Sequence, residues 1–153
     1  PFGFAPGRFG NIYVSEAVGG APNASNVSSY HISYNGSISL SEGPVATGQS
    51  AACWVVLTEN GRYIYTTNTA SNNLSSYTVH PVNGNINLFQ SAAATSGMGP
   101  IDAALTDNSK YLYVLNAGSH SITGYSVAGN GTLTVLPGTI TGLPASTNGL
   151  AAD

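Results

Sequence analysis

A strand of aromatic and branched residues occurs three times in this chain, and that repetition limits the fold more than any other feature. Its clearest copy is KYLYVLN, Lys110 to Asn116. The counterparts are GRYIYTTN, Gly61 to Asn68, and GNIYVSE, Gly10 to Glu16. Tyr13, Tyr65 and Tyr113 hold the same place in each copy, at a period of about 50 residues. In the third copy Tyr111, Tyr113 and Leu115 fall on one face, and Leu112 and Val114 on the other. A strand apolar on both faces has to be covered on both. Three such strands at a fixed interval predict repeated units that cover one another.

Other segments recur in the same register. NVSSYHIS, NLSSYTVH and SITGYSVA align on Tyr30, Tyr77 and Tyr125. Asn35-Gly36, Asn83-Gly84 and Asn130-Gly131 follow, each leading into a short alternating strand (SISL, NINL, TLTV). Asn-Gly supplies the positive φ of a tight hairpin. Inner segments begin near Phe2, Cys53 and Ile101, and small residues such as Ala103 and Ala104 suit crowding at an axis. Each unit thus reads as four antiparallel strands, the pattern of a β-propeller blade. The predicted class is all-β, with blades at about 1–51, 52–99 and 100–147 and an additional inner strand at 148–153. No segment has helical periodicity. Propellers close with about four to eight blades, so three imply a partial ring, or one completed by other blades from a second copy or from missing parent sequence. The chain starts inside a strand pattern, without an initiator Met or signal peptide, and reads as a fragment or processed product.

The charged fraction is 6% and the net charge is -3, with only Arg8, Arg62 and Lys110 basic. That excludes the cationic footprint that nucleic acid requires. No apolar run is long enough to span a bilayer. One cysteine, Cys53, rules out an internal disulfide and reads as a small buried hydrophobe. The Asn- and Ser-rich composition and the sequons at Asn23, Asn26, Asn35, Asn73 and Asn130 fit a secreted, periplasmic or cell-surface protein.

The stretch YLYVLNAGSHSITGYSVAGNGTLTVLPG, followed by a spaced NGLAA, resembles the lactonase family of seven-bladed propellers, the relatives of 6-phosphogluconolactonase. GPIDAALT and PFGFAPGRFGNIYVSE resemble the same family's inner-strand pattern. The resemblance runs over essentially the whole chain. It implies a hydrolase of sugar lactones or a relative of the muconate-cyclising enzymes. About three of the seven blades are here, so a site built by several blades is incomplete.

Candidate residues follow from repeat position. Glu16, Asn68 and Asn116 close the second strands, and Glu16 is an acid where the other units carry an amide. A carboxylate at a funnel mouth can act as a general base; a turn-capping side chain is the alternative. Trp54 and Asp102 share one inner-strand position. Asp102 is a second catalytic candidate, suited to orienting water or binding a sugar hydroxyl, or else bonds a neighbouring blade. Trp54 is suited to stacking on a sugar ring, or else to core packing. With Trp54, the ligand-binding candidates are Asn68, Asn116 and Arg62, which could hold an anion or simply be solvated. His31, His80 and His120 fall at three phases of the repeat, so no metal site and no cofactor are expected. GQSAA lacks the last glycine of a nucleophile elbow, and SGMGP precedes a strand, not a phosphate-binding helix. Two functions remain: lactone hydrolysis, or a non-catalytic binding or structural scaffold.

Overall fold

A computed structural model describes every residue from Pro1 to Asp153. It contains three antiparallel sheets, one per repeat. The first blade is β1 (Phe4–Pro6), β2 (Asn11–Glu16), β3 (Asn26–Ile32) and β4 (Ile38–Ala46). The second is β5 (Ala52–Leu57), β6 (Tyr63–Asn68), β7 (Asn73–Val79) and β8 (Ile86–Thr95). The third is β9 (Pro100–Leu105), β10 (Tyr111–Asn116), β11 (Ser121–Val127), β12 (Leu133–Val135) and β13 (Ile140–Thr141). Within each sheet the strands pair in chain order, and β12 and β13 both pair with β11. They are one outer strand in two pieces, broken where Pro137 supplies no N–H and Gly138 takes φ +89°. The only helical pieces are two three-residue 3-10 turns, Arg8–Gly10 and Val18–Gly20.

The Asn-Gly turns form as the sequence suggests, with one refinement. Gly36, Gly84 and Gly131 have φ of +83°, +72° and +81°, while the asparagines before them stay at negative φ. Each asparagine instead accepts a backbone N–H two residues on, through its side-chain oxygen: Ser37 on Asn35, Asn85 on Asn83, Thr132 on Asn130. Such short-range bonds favour the turn before any strand pairs.

The core lies between blades. Calling the face toward the preceding blade leading and the other trailing, Ala5, Tyr13 and Val27 from the first trailing face pack on Val55, Ile64, Tyr77, Val79 and Ile86 from the second leading face. Tyr65 and Leu74 then meet Ala103, Leu112, Val114 and Tyr125 at the next junction. This is why the tyrosine strands are apolar on both faces. Buried tyrosines need partners for their hydroxyls, and three of the four find them across the junctions. Tyr77 Oη donates to the Val45 carbonyl at 3.1 Å, Tyr125 to Thr95 at 2.6 Å, and Tyr65 to Gly131 at 2.8 Å.

The outermost faces lack this cover. Ile38 and Leu40, on the first leading face, are 66% and 56% exposed, whereas Ile86, at the position of Ile38 in the second blade, is 1% exposed. On the third trailing face Tyr113 is only partly buried, although Tyr13 and Tyr65 at the same position are buried.

Candidate functional site

The inner strands β1, β5 and β9 run side by side at the thin edge of the wedge. Their register against the second strands places Gly3, Trp54 and Asp102 at one repeat position, and Phe2, Cys53 and Ile101 beside them. All of these except Gly3 wall a cavity of about 710 Å³. Its rim comes from the second-to-third-strand connections, Ala17–Gly20 and Thr69, and from Asn148. The wall is mainly apolar with a few polar groups, the usual make-up of a small-molecule site.

Trp54 lines this space as well as a shallow apolar groove beside β1 and β5, and is 37% exposed, unlike a core tryptophan. Asp102 is buried, and both its oxygens are engaged: Oδ1 accepts the Ala103 N–H at 2.7 Å and Oδ2 the Leu150 N–H at 2.8 Å. Burial pushes its carboxyl above the ordinary carboxylate range, because desolvation disfavours the charge; the two backbone bonds work the other way. Cys53 lines the same cavity. Its thiol is pushed up by burial and further by the Asp102 charge, against the Thr69 hydroxyl.

The other candidates lie elsewhere. Glu16 ends β2 on the first leading face and accepts the Ser28 hydroxyl at 2.9 Å, outside the cavity wall. Asn68 and Asn116, at the same repeat position, are fully buried where their blades meet the preceding one. Their amides donate to Ser75 Oγ at 2.8 Å and Thr123 Oγ1 at 3.0 Å, the residues that correspond to Ser28. The rung is thus conserved in place and reversed in polarity: hydroxyl to carboxylate in the first blade, amide to hydroxyl in the others. Arg62 is exposed in the turn between β5 and β6, at the end of the sheet away from the cavity. No group of three or more His, Cys, Asp or Glu side chains gathers in metal-ligating geometry.

Sequence reasoning passed over Cys53, Ile101, Thr69 and Asn148 as wall residues. The signal was partly present, since Phe2, Cys53 and Ile101 mark one inner-strand position. Which of two adjacent positions faces an axis cannot be read from a run as short as CWVV.

Comparison with known proteins agrees with the architecture. A candidate 6-phosphogluconolactonase from Bacteroides fragilis superposes with a TM-score of 0.75 at 18% identity, over 92% of this chain and 38% of its own length. A functionally unknown protein from Desulfotomaculum acetoxidans gives 0.74 at 16%, over 88% and 40%. The periplasmic gluconolactonase of Pseudomonas aeruginosa gives 0.56 at 14%, over 97% and 59%. The chain therefore spans about two fifths of the first two structures. No curated protein matches it by sequence. The sequence profile of the family described as "Lactonase, 7-bladed beta-propeller" matches residues 13–144. With three four-stranded blades on the page and most of its length matched, the chain belongs to the lactonase family of seven-bladed β-propellers.

Proposed function

We propose that this chain forms part of the funnel of a propeller that hydrolyses a sugar lactone or a related small ester ring. The observation that carries the reading is that Trp54 and Asp102 wall the same cavity. The indole face suits the C–H face of a sugar ring. Asp102 takes a proton from water as the water oxygen bonds to the ring carbonyl carbon. The tetrahedral intermediate then collapses, the ring C–O bond breaks, and the departing oxygen takes the proton back, leaving the hydroxy acid. A carboxylate raised by burial is a better base for this than a solvated aspartate. In this reading Glu16, Asn68 and Asn116 brace the blade junctions, and Arg62 serves the opposite rim. The family match and the gluconolactonase fold relative support the substrate class.

A second reading, a non-catalytic binding or structural propeller, is favoured by the dispersal of Glu16, Asp102 and Arg62 over different surfaces. Under either reading, the exposed apolar faces of the first and third blades are seats for other blades, from a second copy or from missing parent sequence. The low charge and the periplasmic relative support an extracytoplasmic location.

Ring opening of glucono-1,5-lactone, followed by proton release, tests the proposal. Asp102→Asn lowers the enzymatic rate by about a hundredfold, the ordinary contribution of a general base, and Glu16→Gln leaves it unchanged. The wild-type rate rises with pH through a midpoint above the ordinary aspartate value of 3.8. An Asp102→Asn protein as fast as the wild type refutes the hydrolytic role. A wild type that binds cyclic polyols without opening lactones establishes the binding reading instead.

A further inference from the structure

The turns between the first two strands of each blade correspond residue for residue when counted back from Tyr13, Tyr65 and Tyr113. One residue in each is left-handed: Phe9, Gly61 and Ser109, at φ of +56°, +71° and +51°. The residues just before these, Arg8, Asn60 and Asn108, share one repeat position. Two of them fold back on their own turn. Asn60 Oδ1 accepts the Thr58 hydroxyl at 2.8 Å and the Arg62 N–H at 3.0 Å. Asn108 Oδ1 accepts the Thr106 hydroxyl at 3.0 Å and the Lys110 N–H at 2.9 Å. Arg8 has Pro6 at the place of that threonine, with no hydroxyl to offer, and its side chain crosses to the next blade. Its stem passes Gly61, where an added Cβ would lie 3.7 Å from Arg8 Cδ, and Nη2 donates to the Glu59 carbonyl at 3.1 Å.

The same place at the second junction is open. A groove of about 460 Å³ lies there, with Glu59 and Asn60 on one side and Ser109, Lys110, Ala128 and Gly129 on the other. Both walls come from the second and third blades, at the end of the sheets away from the axial cavity. Three exchanges make the room. Asn60 stands where Arg8 reaches across, and Ala128 and Gly129 stand where the first junction has His80 and Pro81. The acceptor is also in place. The carbonyl equivalent to that of Glu59 belongs to Asp107, next to the groove wall, and it takes no hydrogen bond within the chain. Lys110 does not bar a cation, since the first seat has Arg62 at the same position and still holds Arg8. The Glu59 and Asp107 carboxylates offset it.

We propose that this groove is a docking seat for an arginine side chain of a partner polypeptide, with Arg8 as its counterpart inside the chain. The guanidinium donates to the Asp107 carbonyl as Arg8 does to Glu59. The stem lies in the space left by Ala128 and Gly129. A lysine ammonium is more strongly hydrated and lacks the planar fork, so it fits less well.

Three probes test the seat: acetyl-Gly-Arg-Gly-amide, its lysine counterpart and n-butylguanidine, each titrated against isotope-labelled protein with amide chemical shifts as the readout. The arginine peptide moves the Ser109 and Lys110 amides saturably, and with them the Glu59 amide, which donates to Ser109 Oγ at 2.8 Å. The lysine peptide binds about fivefold weaker. Asn60→Arg and Ala128→His each install the residue that the first junction carries at that position. Each weakens the arginine peptide at least about tenfold, Asn60→Arg by taking the acceptor and Ala128→His by filling the space. Ala128→His leaves the Asn60 turn bonds intact, so it reads the seat even where Asn60→Arg disturbs that turn. No saturable shift at Ser109 and Lys110, or undiminished binding to Ala128→His, overturns the seat. Equal affinity for the lysine peptide overturns the guanidinium assignment. Binding of n-butylguanidine without binding of the arginine peptide overturns a polypeptide as its source.

Discussion

Tyr65 and Tyr113 occupy the same repeat position, so substituting each in turn separates the worth of a covered blade face from that of an open one. Tyr65 is fully buried, and its hydroxyl crosses to the Gly131 carbonyl of the next blade. Tyr65→Phe removes that bond, worth about 1 kcal/mol net, and leaves a desolvated carbonyl whose penalty is about 1–3 kcal/mol when unmet. Gly131 is itself buried, so the carbonyl stays unmet and the loss is about 2 kcal/mol. At about 2–4 °C per kcal/mol for a chain of this size, Tm falls by about 4–8 °C. Tyr113 is only partly buried and its hydroxyl makes no bond within the chain, so Tyr113→Phe stays within about 0.5 kcal/mol. The alanine pair widens the contrast: Tyr65→Ala approaches the cost of deleting a core aromatic, about 3–5 kcal/mol, and Tyr113→Ala costs a fraction of it. Thermal and denaturant unfolding by circular dichroism reads all four variants. Equal losses at the two positions would refute the account, because the third trailing face would then be as covered as the second.

Three further predictions rest on other features. Burial holds the Tyr65 and Tyr77 hydroxyls far above the ordinary value of 10 and pushes Tyr125 up to about 12. Protonated tyrosine is the form the fold favours, so this stability is intact below pH 10 and drains away as pH rises through 10 toward 12, where the unfolded chain ionises first. Circular dichroism across that window shows alkaline unfolding, displaced to higher pH in Tyr125→Phe once its neutral stability loss is subtracted. Gly131→Ala costs more than Gly36→Ala, although both sit near φ +80°, because a Cβ at Gly131 collides with the Tyr63 ring and one at Gly36 meets nothing. Strain alone accounts for about 1–2 kcal/mol at each site, and a denaturant midpoint that falls equally in both removes the clash from the account. The buried Cys53 thiol reacts with a disulfide reagent at least about tenfold slower in the folded chain than in denaturant. Equal rates would place the thiol in solvent.

The sequence by itself determined the blade. Double-sided apolar strands, Asn-Gly turns and a steady period are local signals, and each acts within a span that a short read can see. They were enough for four strands per unit, burial between units and absence of helix, because every unit repeats the same demand and the units satisfy one another. Tertiary structure decided what repetition cannot distinguish. Tyr13, Tyr65 and Tyr113 are the same residue in the same place, and only the presence of a following blade makes the first two buried and leaves the third partly open. Asn68 and Asn116 read as funnel residues from their place at strand ends, yet pairing with Asn73 and Ser121 turns them into the junctions. Asp102 acquires its environment from Leu150, 48 residues further along the chain. Periodicity fixes which residues are equivalent. Burial, the partner of a hydroxyl and the environment of a carboxylate depend on what stands across the gap, and that is a property of the assembled wedge.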